Sequence, residues 1–205
     1  MNVRFLRTLA VSVLALALGA CVGPRLRPST QPADAAQLAR QSAREELLAS
    51  RPDWSLRGRL GVSDGRDSGS GSLEWAQRGD VFRFTVHAPV TGKTWTLSGD
   101  AGHARLEGLR DQPVDADDAQ YLLARELGWN VPVAYLTQWV RGLRASPEAR
   151  VMFRDDGLPG EIDEAGWKVE YLDYDSAQDP PLPTRVFATR GDYRVRLAVR
   201  AWDSP

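Results

Sequence analysis

The chain has 205 residues but only one cysteine, Cys21, and two histidines, His87 and His103. A single thiol cannot form an internal disulfide, nor can it supply the paired thiolates of a zinc site. The two histidines fall on the edges of predicted hairpins, with no acidic or thiol partner at ligand spacing. We therefore expect no metal site, and we expect a packed core alone to stabilise the fold.

Long apolar runs and excess positive charge are also missing. The longest apolar run, Leu9 to Leu18, holds about ten residues, whereas a helix that crosses a bilayer needs about 20. The formal net charge is −1, and the basic residues form no tract. This distribution predicts neither a spanning helix nor a nucleic-acid surface.

Catalytic motifs are not found either. Gly92-Lys93-Thr94 resembles the end of a phosphate-binding P-loop, but His87 stands where the first glycine is needed, and a strand pattern follows instead of a helix. Gly61-Val-Ser-Asp-Gly65 has the Gly-x-Ser-x-Gly spacing, but a polar, glycine-rich loop follows it where a nucleophile elbow needs a helix. Asp115, Asp117 and Asp118 are explained by the first turn of a helix. We expect no catalytic residues, no enzyme and no cofactor.

The first residues have the layout of a bacterial export signal. Arg4 and Arg7 precede the apolar run, and small residues stand directly before Cys21. The ending Leu18-Gly-Ala-Cys21 resembles the lipobox of bacterial lipoproteins, in which the cysteine is acylated and becomes the first residue after cleavage. We interpret residues 1–20 as a lipoprotein signal peptide and Cys21 as the lipidation site, with a covalent N-acyl and S-diacylglycerol lipid. The alternative is an ordinary secretory signal with a stray cysteine.

A tether and a helix follow. Residues 21–32 include three prolines and no periodic apolar pattern, which predicts a lipidated N-terminus and an extended tether. Residues 33–205 show no composition break, so we expect one domain. Within it, Ala33 to Ser50 places apolar residues at helical spacing and predicts an amphipathic helix that ends before Pro52.

From Trp54 onwards the apolar period changes from helical to alternating. Trp54, Leu56, Leu60 and Val62 share one face of a predicted strand. Short alternating runs continue to residue 106 and resume from 151 to 201, which predicts an antiparallel meander. Between them, a helix is expected to start at the acidic residues 115–118 and end at 128, and a second to run from about residue 132 to 142.

These patterns predict a mainly β fold with some α: an open, incomplete antiparallel β-barrel of about ten or eleven strands, covered by about three helices. Two short helices and one longer one do not fill the concave side of a large curled sheet. The expected consequence is an enclosed hydrophobic cavity, as in barrels that hold one small apolar ligand. A fully filled core is the alternative that the pattern leaves open.

Five motifs follow the lipobox in order: Trp54-Ser-Leu-Arg-Gly-Arg-Leu60, Asp115-Ala-Asp-Asp-Ala119, Leu136-Thr-Gln-Trp-Val-Arg-Gly142, Gly166-Trp-Lys-Val-Glu-Tyr171 and Arg196 to Trp202. With these motifs the chain resembles the LolB family of outer-membrane lipoprotein receptors, from Ala33 to Trp202. The resemblance implies a lipid anchor in the outer membrane, on its periplasmic face. It implies a monomer that accepts acylated lipoproteins from a LolA-like periplasmic carrier and inserts them into the inner leaflet of that membrane.

The resemblance also implies functional residues. A loop that carries Pro89 and Val90 would present an exposed apolar residue to outer-membrane lipid during transfer, although Val90 taken alone fits an ordinary hairpin. Val22, directly after Cys21, is not the aspartate associated with inner-membrane retention. The hypothesis for the acyl cavity is that inward residues of strands and helices line it: Leu56, Leu60, Trp75, Phe84, Trp95, Leu97, Leu122, Leu136, Trp139, Tyr171 and Leu197.

Two other functions stay open. For each predicted lining residue, ordinary core packing is an alternative role, so the protein can also be read as a structural outer-membrane lipoprotein that docks an assembly partner without binding acyl chains. A periplasmic hydrolase is a third reading, which would require a convergent polar triad in the cleft.

Overall fold

The computed structural model describes residues 27–89 and 92–203, so Cys21, Val22, Val90 and the signal peptide lie outside the described residues. The described part contains one sheet and three helices. The strands are β1 Gln31–Pro32, β2 Trp54–Ser63, β3 Ser68–Arg78, β4 Val81–Ala88, β5 Lys93–Gly99, β6 Ala104–Glu107, β7 Val114–Ala116, β8 Arg150–Phe153, β9 Pro159–Glu164, β10 Trp167–Asp175, β11 Leu182–Arg190 and β12 Tyr193–Asp203. The helices are α1 Ala35–Ala49, α2 Ala119–Leu127 and α3 Val133–Trp139.

All twelve strands form one sheet in the order β1-β8-β9-β10-β11-β12-β2-β3-β4-β5-β6-β7, and each neighbouring pair is antiparallel. The edge strands β1 and β7 do not pair with each other, so the sheet stays open. The predicted open, mainly β fold is confirmed. The last strand, β12, lies inside the sheet between β11 and β2.

The helices occupy the connections where the sheet is interrupted. Helices α2 and α3 together join the edge strand β7 to β8, which lies beside the opposite edge. Leu122, Leu123 and Trp139 belong to the same buried cluster as the inward side chains of the strands. The two helices therefore cover the concave face, and we call residues 119–139 the helical cover.

Strict alternation places the apolar side chains on the concave face. In β2, Trp54, Leu56 and Leu60 are buried, whereas Arg57 and Arg59 between them are exposed. Because side chains alternate along a strand, an unshifted register keeps every apolar row on one side. The unbroken pairing of β2 with β3 provides this register over the full length of β2.

Caps define the helix ends. Asp34 accepts a hydrogen bond from the amide of Gln37 at 2.7 Å, and the Gln37 side chain accepts one from the amide of Asp34 at 2.9 Å, which completes a capping box for α1. Asp118 caps α2 by accepting from the amide of Tyr121 at 2.7 Å. Gly128 ends α2 in the left-handed region, as its sequence pattern predicts.

The sheet has twelve strands where about ten or eleven were predicted, and three of its short strands were not expected from the sequence. Gln31 pairs with Phe153 and Pro32 with Met152, so these last two residues of the predicted tether, 21–32, belong to the sheet. Residues 114–116 form β7, so that of the acidic residues 115–118 expected at the start of the helix, Asp118 is the N-cap of α2 and Asp115 lies in a strand. Residues 159–164 form β9, which begins at a proline and a glycine and was not expected to be a strand.

The close approach of β2 to β12 leads to a stability prediction. A Cβ atom at Gly58 would lie 2.4 Å from the backbone oxygen of Ala198, whereas one at Gly61 on the same strand would meet nothing closer than 4.0 Å. We expect Gly58→Ala to lower the free energy of unfolding by about 2 kcal/mol through overpacking. Gly61→Ala should change it by less than about 0.5 kcal/mol. Urea unfolding of both variants tests this, and equal effects would contradict it.

Candidate functional site

The inward side chains enclose a small cavity between the sheet and the helical cover. It has a volume of about 40 Å³ and lies in the middle of the apolar core. The residues that line it are Leu60, Leu73, Trp75, Phe84, Leu136, Trp139, Val140, Val169, Val186, Ala188, Val195 and Leu197. Every one of these side chains is apolar apart from the indole nitrogens, so the cavity offers an environment suited to hydrocarbon.

Six of the eleven predicted lining residues border this cavity: Leu60, Trp75, Phe84, Leu136, Trp139 and Leu197. The other five are fully buried in the surrounding core and do not border it: Leu56, Trp95, Leu97, Leu122 and Tyr171. Six lining residues were not singled out from the sequence: Leu73, Val140, Val169, Val186, Ala188 and Val195. The alternation of apolar and polar residues along the strands could have identified several of them, because Val169, Val186 and Val195 stand on the inward faces of β10, β11 and β12.

The size of the cavity restricts what it can hold in this conformation. Sites that enclose a small-molecule ligand usually measure about 300 Å³ or more, whereas this cavity measures about 40 Å³. The space has room for no more than a few water molecules. Large side chains, above all Trp75, Phe84 and Trp139, fill the remainder, so an acyl chain could enter only if side chains or the helical cover moved.

A row of aromatic rings crosses the concave face. Successive ring centroids of Trp202, Trp54, Trp75, Phe84 and Trp95 lie 5.1–5.9 Å apart. Trp129, in the link between α2 and α3, touches the end of the row at 5.6 Å from Trp95. Rings at these separations gain edge and stacking contacts beyond simple area burial. The row makes the inward face hydrophobic without interruption across the five neighbouring strands β12, β2, β3, β4 and β5.

Buried polar bonds fasten the helical cover to the sheet. The indole nitrogen of Trp139 donates to a carboxylate oxygen of Glu164 at 2.8 Å, and the amide of Ala145 donates to the same oxygen at 3.0 Å. The hydroxyl of Tyr171 donates to the carbonyl of Trp139 at 2.9 Å. Burial raises the pKa of Tyr171 well above its usual value, so its hydroxyl remains a donor.

Two buried arginines join α1 to the turn after α3. Arg44 donates to the carbonyl oxygen of Arg141 at 2.9 Å, and Arg141 donates to the carbonyl oxygens of Leu48 and Arg51. Burial, with Arg44 and Arg51 nearby, lowers the pKa of Arg141 to about 10, so the group is still charged at neutral pH. Its charge lies at the C-terminal end of α1, where the helix dipole is negative.

An open pocket of about 500 Å³ lies at one end of the helical cover. Its apolar wall includes Trp54, Phe82 and Val133, and its rim carries the carboxylates of Asp80 and Asp118. Arg141 lines its base. This pocket reaches the aromatic row at Trp54 and gives solvent access to that end of the core.

The predicted transfer loop lies at the opposite end of β4. Strand β4 ends at Ala88 and β5 begins at Lys93, and Pro89 between them is exposed. His87 and Thr94 close the hairpin through a side-chain hydrogen bond of 2.8 Å. Gly92 has a positive φ of 66°, which a turn requires. The structure thus shows a short connection between antiparallel neighbours, while the predicted tip, Val90, lies outside the described residues.

Few polar side chains among the described residues are arranged as a catalytic or metal site would require. His103 forms an ion-pair contact of 3.3 Å with Asp115 on the surface, and the described hydrogen bonds link neither histidine into a triad. Across residues 27–89 and 92–203, no three potential ligand side chains come together as a metal site. None of the helices in that part has the length and apolar character to span a membrane.

Comparisons with known proteins agree with these features. The family model for the outer membrane lipoprotein LolB matches residues 52–202. The chain is 41% identical over 210 residues to the outer-membrane lipoprotein LolB of Xanthomonas campestris pv. campestris strain B100, with 96% of each chain covered. It is 38% identical over 166 residues to that of Xylella fastidiosa strain 9a5c, covering 80% of this chain and 76% of the relative.

Solved structures with little sequence identity share the fold. A protein described as an outer membrane lipoprotein-sorting domain, from Vibrio parahaemolyticus, matches with a TM-score of 0.52 at 9% identity, covering 82% of this chain and 91% of the other. A LolA superfamily protein from Nitrosomonas europaea matches with a TM-score of 0.50 at 10% identity, covering 75% and 86%. These similarities concern the fold alone.

The bonds that fasten the helical cover lead to a second stability prediction. Trp139→Phe removes a donor from the buried carboxylate of Glu164, whereas Trp75→Phe removes only a longer bond, 3.3 Å, to Gln77. Both variants lose the same side-chain volume. We expect Trp139→Phe to lower the free energy of unfolding by at least about 1 kcal/mol more than Trp75→Phe. Urea unfolding measures the difference, and equal losses would show that the bond to Glu164 contributes nothing specific.

Proposed function

The chain belongs to the LolB family of outer-membrane lipoproteins, and from that premise we propose that it accepts acylated lipoproteins from a LolA-like carrier and inserts them into the membrane. Its place is the outer membrane, and its family serves lipoprotein localisation. The observation that carries the proposal is the all-apolar cavity between the sheet and the helical cover. In this proposal the cavity is the closed form of the acyl site.

The energetics of acyl chains make such a site necessary. Burial is worth about 0.8 kcal/mol for each methylene, so a chain with about fourteen of them resists transfer into water by roughly 11 kcal/mol. A lipoprotein that carries several chains therefore needs an apolar environment at each stage of its route. The receptor can direct transfer only through differences in binding free energy between carrier, receptor and bilayer.

The helical cover is the part that must move. Leu136, Trp139 and Val140 line the cavity from the side of the helical cover, and the opposite wall belongs to the sheet. Displacing α3 would expose the aromatic row and the apolar rows of β2 and β12. The open pocket beside Trp54 lies at the end of the same helix and would widen with it.

The lipid anchor has a separate role in the proposal. We assign the acyl groups to Cys21, so that the domain is kept at the periplasmic face of the outer membrane. Residues before Gln31 then form the tether, since pairing with β8 begins at that residue. The anchor determines where transfer happens, while the domain binds the cargo.

One observation favours the alternative function. A cavity of about 40 Å³ is what a structural lipoprotein with a filled core would have. Such a protein would dock an assembly partner through its surface and would not bind acyl chains. Cargo transfer distinguishes the two functions directly.

We predict that the mature lipidated protein in detergent removes an acylated lipoprotein from its carrier. Leu136→Asp, which places a charge in the cavity wall, should reduce this uptake at least tenfold, because a buried unpaired charge resists contact with hydrocarbon. The matched control is Leu38→Asp on α1, whose side chain is 37% exposed. Co-precipitation of cargo with each receptor measures uptake. Cargo that stays on the carrier with the unmodified receptor would support the structural alternative.

A further prediction concerns the transfer loop. Val90→Glu should leave cargo uptake intact but slow release into vesicles, because a charge at the contact point resists entry into lipid. Val81→Glu is the matched control, since Val81 is 56% exposed at the other end of β4. The measurement is the fraction of cargo that floats with vesicles over time. Loss of uptake with normal release of bound cargo would contradict the assigned role.

A further inference from the structure

A groove is lined mainly by residues at outward positions of the sheet, although Val62, Gly69 and Ala88 in its lining stand at inward positions. It has an open volume of about 780 Å³ and crosses β12, β2 and the start of β3. We call it the arginine groove, and its lining residues are Gly61, Val62, Ser63, Ser68, Gly69, Ser70, Ala88, Arg194 and Arg196.

Small side chains form the floor of the arginine groove. Gly61 pairs with Ser70 and Ser63 pairs with Ser68 in the register of β2 and β3, so the outward positions there carry only hydrogen atoms and hydroxymethyl groups. The pairing of β3 with β4 extends no further than Ser72, which leaves the start of β3 without a neighbour on that side among the described residues. The result is a trough with hydroxyl donors at its base.

The charge of the arginine groove is positive and uncompensated. Arg194 pairs with Ser63 and Arg196 with Gly61, so both guanidinium groups rise from one wall. Both are exposed, and neither forms an ion pair among the described residues. Arg194 makes only a long bond, 3.4 Å, to a backbone carbonyl, and Arg196 lies over the ring of Phe187. No lining residue is acidic.

A second groove on the same face provides an internal comparison. It has a volume of about 340 Å³ and includes Arg57 and Arg83, but it also includes Glu74 and Asp203. Two carboxylates there balance two guanidinium groups. The two grooves therefore differ in the balance of charge among their lining residues.

The position of the arginine groove indicates its partner. Ala88 borders it and Pro89 follows directly, so the groove opens beside the start of the β4–β5 connection. We propose that the arginine groove binds the phosphate of an anionic phospholipid in the membrane that receives the cargo. Guanidinium groups match phosphate oxygens in a bidentate geometry, and the serine hydroxyls supply further donors. The proposal rests on the proposed function, since it places this end of the barrel against the bilayer.

Native mass spectrometry of the mature lipidated protein tests the proposal. The protein is released from detergent micelles that contain equal amounts of phosphatidylglycerol and phosphatidylcholine with identical acyl chains. We expect bound phosphatidylglycerol to exceed phosphatidylcholine by about tenfold, as for two basic groups at an anionic surface. Arg194→Gln with Arg196→Gln should bring the ratio close to one. Arg57→Gln with Arg83→Gln, which removes the same charge from the balanced groove, should leave it unchanged.

Three results would overturn the proposal: no lipid preference in the unmodified protein, equal loss in both double variants, or displacement of the lipid by inorganic phosphate at the same concentration. The second would indicate a diffuse charge effect, and the third a site for soluble phosphate. All four substituted positions are exposed, so their circular dichroism should match that of the unmodified protein. The assay contains no carrier and no cargo, so its outcome does not depend on whether the protein takes up cargo.

Discussion

An open sheet with one apolar face must have that face covered, and the rest of this structure depends on how the cover is held. The covering segment is also the connection between the two edges of the sheet, so its position follows from the chain path. Polar groups hold it in place. Glu164 and Tyr171 form hydrogen bonds with Trp139. Arg44 and Arg141 join α1 to the turn that follows α3. Apolar contacts alone would tolerate many positions of a short helix, whereas buried polar groups are satisfied in few arrangements. The fastening therefore selects one closed position.

That closed position carries a cost that bears on transfer. Two nitrogen atoms of Arg44 and one carboxylate oxygen of Glu164 are buried without a hydrogen-bond partner. Such groups are expensive to keep from water. In the proposed function, an arriving acyl chain would compete with side chains for the same apolar surface, and opening the cover would relieve these buried groups. In the proposed function, closing the cover again would restore the bonds of Trp139 to Glu164 and Tyr171, which offsets part of the cost of releasing the chain to a bilayer.

Local chemistry predicted much of the fold. The alternation in β2 and β12 and the cap at Gly128 each depend on neighbours in sequence, and each was found in place. Helix α1 was also found, but its buried face consists of Gln41, Arg44 and Leu48, whereas the apolar positions that predicted it, such as Ala39 and Leu47, are exposed. Strand β9 was not expected, because Pro159 and Gly160 open it and acidic residues fill most of the rest. Its pairing with β8 and β10 outweighs those propensities, and Ile162 is fully buried there. The cavity volume was beyond prediction, since it depends on how Trp75, Phe84 and Trp139 pack against one another.

The central position of β12 has a consequence for the order of folding. Strand β12 separates β2 from β11, so the two halves of the sheet have no direct ladder until residues 193–203 take their place. Contacts between segments so distant in sequence form slowly, because a long loop must close first. Until then β2 and β11 both present unpaired edges, which are prone to association with other chains. The unfolded chain would thus be exposed to aggregation through these two edges until β12 pairs with both of them.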